Sequence, residues 1–290
     1  MSNNKKILIL GATGLLGNTI FNYFNKLSRF ITLGTIRNEK LKNVFQDSLK
    51  NNIITNVNAN DFLGIERIIE KESPDVIINC IGIIKQLKES EDPIKTITIN
   101  SLFPHKLLSV CKLKGIKLIH FSTDCVFSGK TGMYTESSFP DAEDLYGRSK
   151  FLGEINDING ITLRTSMIGH ECNSNNSLLN WFLSNKGAVK GYRNAIFSGL
   201  TAIELSKIVD KYIIDNDSIH GLYHVAANPI DKYNLLNLIS HIYGKNINII
   251  PDDEVWIDRS LNANCFNKKT GYTPPEWSQL IKEMKQFNES

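Results

Sequence analysis

The string ILILGATGLLGNTIF, residues 7–21, constrains this chain more than any other stretch. A four-residue apolar run ends at Gly11, and a helical pattern starts at Leu15. Gly11 lets the chain leave a strand in a tight turn, and Gly14 offers no Cβ to block an approaching ligand. Gly17 lets the helix lie close to the sheet. The N–H groups that open that helix lack intrahelical partners and face any anion held at the turn. A chain that begins this way forms a strand–turn–helix unit suited to a pyrophosphate.

The rest of the first half repeats the unit. Apolar runs at 30–36, 53–57, 76–79, 117–122 and 161–165 alternate with helical patterns at 15–27, 61–71, 94–114 and 145–155. Strands separated by helices predict βαβ units and a parallel sheet. Runs such as KILIL and DVIIN suit strands buried on both faces. The expected fold class is α/β, a Rossmann-type doubly wound parallel sheet with a smaller C-terminal substrate-binding lobe. The NAD(P)-binding domain is expected over residues 1–165 and the lobe over 166–290, with some later segments returning to the first domain. Past residue 165 a polar loop, GHECNSNNS, precedes helices at 178–183 and 201–214. A strand at 221–226, a helix at 231–243, a strand at 247–250 and a helix from Pro275 complete the pattern.

Composition removes several alternatives. A formal charge of +3, scattered along 290 residues, argues against nucleic-acid and membrane partners. The four-residue apolar run falls short of the roughly 7–15 residues of a signal peptide core and the roughly 20 of a membrane span. A soluble, cytoplasmic protein is expected, as a monomer or homodimer. Cysteines 80, 111, 125, 172 and 265 form no CxxC pair, so reduced thiols are expected. His120 sits inside a strand as a core residue, and His220 and His224 lack a third ligand, so no metal site is expected.

The end of the second strand bears on the cofactor. TLGTIRNEK carries no carboxylate for the ribose diol of NAD and places Arg37 there instead. A guanidinium suits a 2′-phosphate, so NADPH is favoured over NADH; the alternative is a solvated surface arginine. Asp61 can cap a helix or accept from an adenine amine. Gly82, after Asn79-Cys80-Ile81, would allow close approach to the adenosine ribose.

The chemistry is carried by FSTD at 121–124 and YGRSK at 146–150. On a helix Tyr146 and Lys150 are i and i+4 and share a face. A free tyrosine, with a pKa near 10, is a poor acid at neutral pH. A neighbouring ammonium would lower it, so that Tyr146 could protonate a carbonyl oxygen as hydride arrives. Thr123 ends the fifth strand, at the sheet edge where ligands bind.

The glycine turn, FSTD and YGRSK together resemble the extended short-chain dehydrogenase/reductase superfamily. STDCVFSG, YTE, LYGRSKFLGE, LRTSMIG and the tail RSLNANCFNKKTGYTPPEW are similar to dTDP-4-dehydrorhamnose reductases. The resemblance implies Thr123, Tyr146 and Lys150 as catalytic residues, with Lys150 also on the nicotinamide ribose and Asn100 organising that lysine through water. It implies cofactor contacts from Gly11, Thr13, Gly14, Leu15, Leu16, Gly17, Arg37, Asp61, Phe62, Cys80, Ile81, Gly82, Asn100, Thr165 and Met167. Asp124, Cys125, Val126, Phe127, Asn180, Arg193 and Arg259 would meet the substrate. The implied reaction is NADPH-dependent reduction of the C4 keto group of a nucleotide-linked 4-keto-6-deoxy sugar, for surface polysaccharide such as O-antigen. YRNAIFSGLTAIEL and YHVAANPIDKYNLL look closer to reductases of UDP-linked N-acetylated sugars.

Three rivals share the superfamily. A 4,6-dehydratase needs Asp-Glu after its threonine, and here Cys125 follows Asp124. An epimerase–reductase similar to GDP-fucose synthase carries a cysteine where Cys125 stands, but its histidine acid is missing from NNSLLNW, and His170 lies nearer the preceding strand. A non-catalytic NAD(P)-binding regulator typically loses the tyrosine, which is present here.

Overall fold

The computed structural model describes residues 4–172 and 175–290. Strand β1 (Lys5–Leu10) runs into α1 (Leu15–Asn25), and β2 (Phe30–Thr35) returns parallel to β1 from the Lys5–Phe30 pair to the Leu10–Thr35 pair. Two short 3₁₀ turns lead to β3 (Ile53–Ile54), then α2 (Phe62–Glu72) and β4 (Val76–Asn79). A long helix follows as α3 (Pro93–Thr96) and α4 (Phe103–Lys114), joined through a π-helical segment at Ile97–Leu102. Then come β5 (Lys117–Thr123), α5 (Leu145–Leu152) and β6 (Gly160–Thr165).

The remaining chain adds β7 (Met167–Ile168), α6 (Leu178–Ser184), β8 (Val189–Tyr192), β9 (Ala195–Phe197), β10 (Leu200–Thr201) and α7 (Ala202–Ile208). After these stand β11 (Gly221–His224), β12 (Ile230–Asp231), α8 (Lys232–Tyr243), β13 (Ile249–Asp252), β14 (Ile257–Asp258), α9 (Asn264–Thr270) and α10 (Trp277–Glu289). Of the polar loop at 169–177, residues 173 and 174 lie outside the described residues.

The main sheet has seven parallel strands in the order β11-β6-β5-β4-β1-β2-β3. Strand alternation splits β1 between two cores. Ile7 and Ile9 face Phe21 and Phe24 of α1, while Leu8 and Leu10 face Ile65, Ile69, Phe103 and Leu107. The order of connection reverses between β1 and β4, which opens a crevice at their carboxyl ends. Strand β11 joins the outer edge beside β6, so a segment from beyond residue 165 completes this sheet.

Two expected elements come out differently. The third strand pairs over two residues only, because Asn56 adopts a left-handed φ of 61° and breaks the extended run. The helix expected over 201–214 ends in a π-helical turn at Val209–Ile213. Among the described residues no helix is long and apolar enough to cross a membrane.

Candidate active site

At the end of β1, Gly11 holds φ at +86°, and a Cβ there would lie 3.0 Å from Ile81 Cγ1 and 3.3 Å from the Cys80 carbonyl. A Cβ on Gly17 would collide with the Gly11 carbonyl oxygen. Gly14 is exposed, and its only neighbour at the Cβ position is Gly11 O, at 3.7 Å. It caps α1 without a side-chain hydrogen bond, which leaves the first helical N–H groups without a side-chain cap. Side chains at Gly11 or Gly17 would strike the backbone that shapes this turn, whereas Gly14 borders open space, and the cradle so formed fits a dinucleotide pyrophosphate. Gly82 lies opposite; its Cβ position is 3.5 Å from Asn100 Oδ1 and 4.0 Å from Lys150 Nζ.

Thr123 closes β5. Its hydroxyl donates to Asp124 Oδ1 at 3.1 Å and accepts from the Cys125 N–H at 3.1 Å, capping a 3₁₀ turn at Asp124–Val126. Asp144 caps α5 by accepting from the Gly147 N–H at 2.8 Å, and Lys85 pairs with the same carboxylate at 2.8 Å. A Cβ on Gly147 would strike the Cys125 carbonyl, so only glycine lets α5 seat against the turn that carries Thr123. That seating brings the buried Tyr146 phenol close to the Thr123 hydroxyl. Lys150 is buried one helical turn on and donates from Nζ to the Phe121 carbonyl at 2.7 Å.

Asn100 lies in the π-helical segment, a geometry often found at functional sites. Its Oδ1 accepts from the Ile83 N–H at 2.8 Å, and its Nδ2 donates to Ile83 O at 3.0 Å and Ser149 Oγ at 3.2 Å. Asn100 therefore ties the loop after β4 directly to α5, the helix that carries Tyr146 and Lys150. Behind it, Glu154 takes Arg164 in a buried bidentate pair, at 2.7 and 2.6 Å, and accepts from Ser122 Oγ at 2.7 Å.

Burial sets the protonation of the cluster. It holds the Lys150 ammonium down to about 8, with Glu154 and Cys80 pulling the other way. Burial also pushes the Tyr146 phenol up, as does Cys125, while the hydrogen bond with Thr123 pulls it down. Lys150 Nζ is turned to the Phe121 carbonyl, and loss of solvation dominates at the phenol. Burial pushes the Cys125 thiol up to about 12, with Asp124 adding to it, and raises the Asp124 carboxyl against the pull of Arg259.

A family model described as the RmlD substrate binding domain matches residues 5–183. The chain belongs to that family. It is similar to the probable low-salt glycan biosynthesis reductase Agl14 of Haloferax volcanii, 29% identical over 165 residues, which are 55% of this chain and 52% of that protein. Methionine adenosyltransferase 2 subunit beta of Mus musculus is 29% identical over 152 residues, 52% of this chain and 42% of that protein. The chain thus spans about half the length of the curated relatives it matches. A crystal structure of dTDP-4-dehydrorhamnose reductase from Bacillus anthracis in complex with NADP has the same fold, with a TM-score of 0.80 over 100% of both chains at 19% identity.

The other residues expected in this RmlD-family site divide into those brought to the crevice and those engaged elsewhere. Arg37 stands exposed after β2 with no hydrogen bond or ion pair among the described residues. Asp61 takes the capping role on α2, accepting from the Gly64 N–H at 3.0 Å, and Phe62 meets Phe103 edge-on at 6.1 Å. Thr165 is buried and donates to Ser166 O at 3.0 Å, next to the partly buried Met167. Arg259 donates from Nε to Phe127 O at 2.8 Å and from Nη1 to Cys125 Sγ at 3.7 Å.

Val126 and Phe127 are fully buried, and Phe127 stacks on Tyr134 at 4.1 Å with Arg164 over its ring, so their side chains are core rather than substrate-facing. Arg193 is held in an exposed ion pair with Asp253, donating from Nε at 2.7 Å. Asn180 brackets the Glu171 backbone, accepting at 3.1 Å and donating at 3.0 Å. His170 bonds Tyr243 Oη at 2.9 Å and lines a separate cavity with Asn18 and Asn22. Among the described residues no cluster of His, Cys, Asp or Glu could hold a metal ion. Lys232, directly after the helix-capping Asp231 in IDKYN, is partly buried, and burial holds its ammonium below the usual lysine range with Asp124 pulling the other way.

Proposed function

We propose that this RmlD-family chain is an NADPH-dependent reductase of the C4 keto group of a nucleotide-activated 4-keto-6-deoxy sugar. The observation that carries the reading is the Tyr146 phenol seated by α5 close to Thr123, with Lys150 buried one turn on, beside a glycine cradle at the switch point of the sheet. Bound NADPH would supply the hydride. Gly11, Gly14 and Gly17 would admit its pyrophosphate, and the unengaged Arg37 guanidinium would take the 2′-phosphate. The NADP in the Bacillus anthracis neighbour supports this choice.

The residues then divide the work. Thr123 and Tyr146 hold the keto oxygen between two hydroxyls. Because burial keeps the phenol protonated at neutral pH, Tyr146 carries the proton that the oxygen accepts as hydride adds to C4. Lys150, ionised below about pH 8, supplies positive charge at the developing alkoxide and is held in place by the Phe121 carbonyl. The similarity to a glycan biosynthesis reductase supports a product destined for a surface glycan. A UDP-linked N-acetylated sugar is the finer reading.

Epimerisation is disfavoured, since the Cys125 thiol is held protonated and His170 is engaged with Tyr243. A regulatory, non-catalytic role has one specific support, the similarity to a methionine adenosyltransferase subunit. A panel of dTDP- and UDP-linked 4-keto-6-deoxy sugars, incubated with NADPH in deuterated water and read by NMR, separates these readings. A 4-hydroxy product without ring deuterium is expected. Ring deuterium would establish epimerisation, and NADPH binding without turnover on any sugar would favour the regulator.

A further inference from the structure

Helix α1 carries carboxamides at Asn18, Asn22 and Asn25, the i, i+4 and i+7 positions of one helical face. Asn25 is satisfied: its Nδ2 donates to Phe21 O at 2.8 Å, and its Oδ1 accepts from Asn52 Nδ2 at 2.7 Å. Asn18 is not. It is 9% exposed, its Oδ1 accepts from Asn22 Nδ2 at 3.0 Å, and its own Nδ2 has no hydrogen-bond partner. A buried amide donor left unpaired costs free energy that a partner would recover. The bond from Asn22 to Asn18 also leaves Asn22 Oδ1 as an open acceptor, since no described group donates to it. Successive turns of α1 thus offer one free donor and one free acceptor.

Both side chains line a cavity of about 540 Å³ between α1, the turns after β2, the end of β7 and α10. The cavity shares no residue with the glycine cradle or with the cluster around Tyr146. At its rim Gln46, Ser48 and Asn288 are exposed, and their side chains make no hydrogen bond among the described residues. Val44, Leu49 and Met284 supply apolar wall. The two charged side chains that line it are opposite in sign and already engaged. Lys26 donates to Ser290 Oγ at 2.7 Å, and Glu171 accepts from the Ser177 N–H at 2.8 Å. Burial holds His170 below the usual histidine range, so the ring is neutral at pH 7.

We propose that this cavity is a second ligand site, built for an uncharged sugar of one or two rings. A hydroxyl both accepts and donates, so two neighbouring hydroxyls of a sugar match the donor of Asn18 and the acceptor of Asn22. The free amides and hydroxyl at the rim extend the same mixed pattern, and the volume lies in the range of small-molecule sites. A phosphate does not fit, because it would meet the Asn22 acceptor and the Glu171 carboxylate with the one lining cation already held. The inference stands apart from the reading of the crevice between β1 and β4 and does not depend on it.

The test is ¹H–¹⁵N NMR on the full chain with NADP⁺ present, so that the crevice is occupied. The side-chain amide signal of Asn18, assigned through its own backbone, is followed while glucose, N-acetylglucosamine, maltose and inorganic phosphate are added in turn. A saturable shift with at least one of the sugars and none with phosphate is expected. Asn22 is half-buried, so Asn22→Leu removes the acceptor with little disturbance of the fold, which a thermal melt checks. Read on the same Asn18 signal, the affinity of this variant for that sugar should fall about fivefold, the worth of one neutral hydrogen bond, with NADPH affinity unchanged. No saturable shift with any of the three sugars overturns the proposal. So does a shift of that amide with phosphate, or full sugar affinity in Asn22→Leu.

Discussion

The two sides of the crevice are built by different means. On the β1 side, the cradle comes from Gly11–Gly17 and the backbone of Cys80–Gly82, and what matters is the absence of side chains. On the β5 side, Thr123, Tyr146, Lys150 and Arg259 arrive from three separate segments, positioned by hydrogen bonds and close helix packing. A backbone cradle serves any dinucleotide, whereas an assembly of side chains can be changed one residue at a time.

Substitutions on the two sides should separate cleanly. Tyr146→Phe removes the proposed proton donor from the β5 side alone. Turnover should fall roughly 10²–10⁴-fold, the usual worth of general acid catalysis, with NADPH affinity retained in a fluorescence titration. A parallel loss of cofactor binding would blur the division. Gly17→Ala attacks the other side, where the new methyl meets the Gly11 carbonyl. A loss of about 1–3 kcal/mol in a denaturant melt is expected, together with weakened NADPH binding.

Arg37→Ala should weaken NADPH about tenfold and leave NADH unchanged, the mark of one charge-assisted contact to the 2′-phosphate. Equal effects on both would remove Arg37 from the site. The smallest effect is a titration. The folded pKa of Lys150, about 8, lies below its ordinary value of 10.5. Its charge therefore works against folding at and below pH 8, and that penalty fades as pH rises toward 10.5. The ¹³Cε signal assigned to Lys150 by its loss in Lys150→Met should titrate near pH 8; titration near 10.5 would mean the ammonium is solvated.

The legibility of the site in the sequence follows the same division. The cradle is contiguous, and β4 spans Val76–Asn79 as its apolar run predicts. Tyr146 and Lys150 were equally readable, because helical spacing alone puts them on one face. The small sheets were not: β12 and β14 are two residues each, too short for alternation, and pair with β9 from more than 30 residues away. The exposed Arg193–Asp253 pair joins the ends of β8 and β13, which no local pattern announces. Val126 and Phe127 were expected at the substrate from the family resemblance, yet their apolar character wins, and both fill the core.

The central claim is that hydride passes from the cradle side to a carbonyl held on the hydroxyl side. NADPH deuterated on the transferring face of its nicotinamide C4, supplied with the best keto sugar of the panel, tests it directly. Deuterium should appear at C4 of the product sugar in one-to-one ratio with NADPH consumed. A reduced sugar without label at C4, or NADPH held by the protein and never consumed by any sugar, would contradict it.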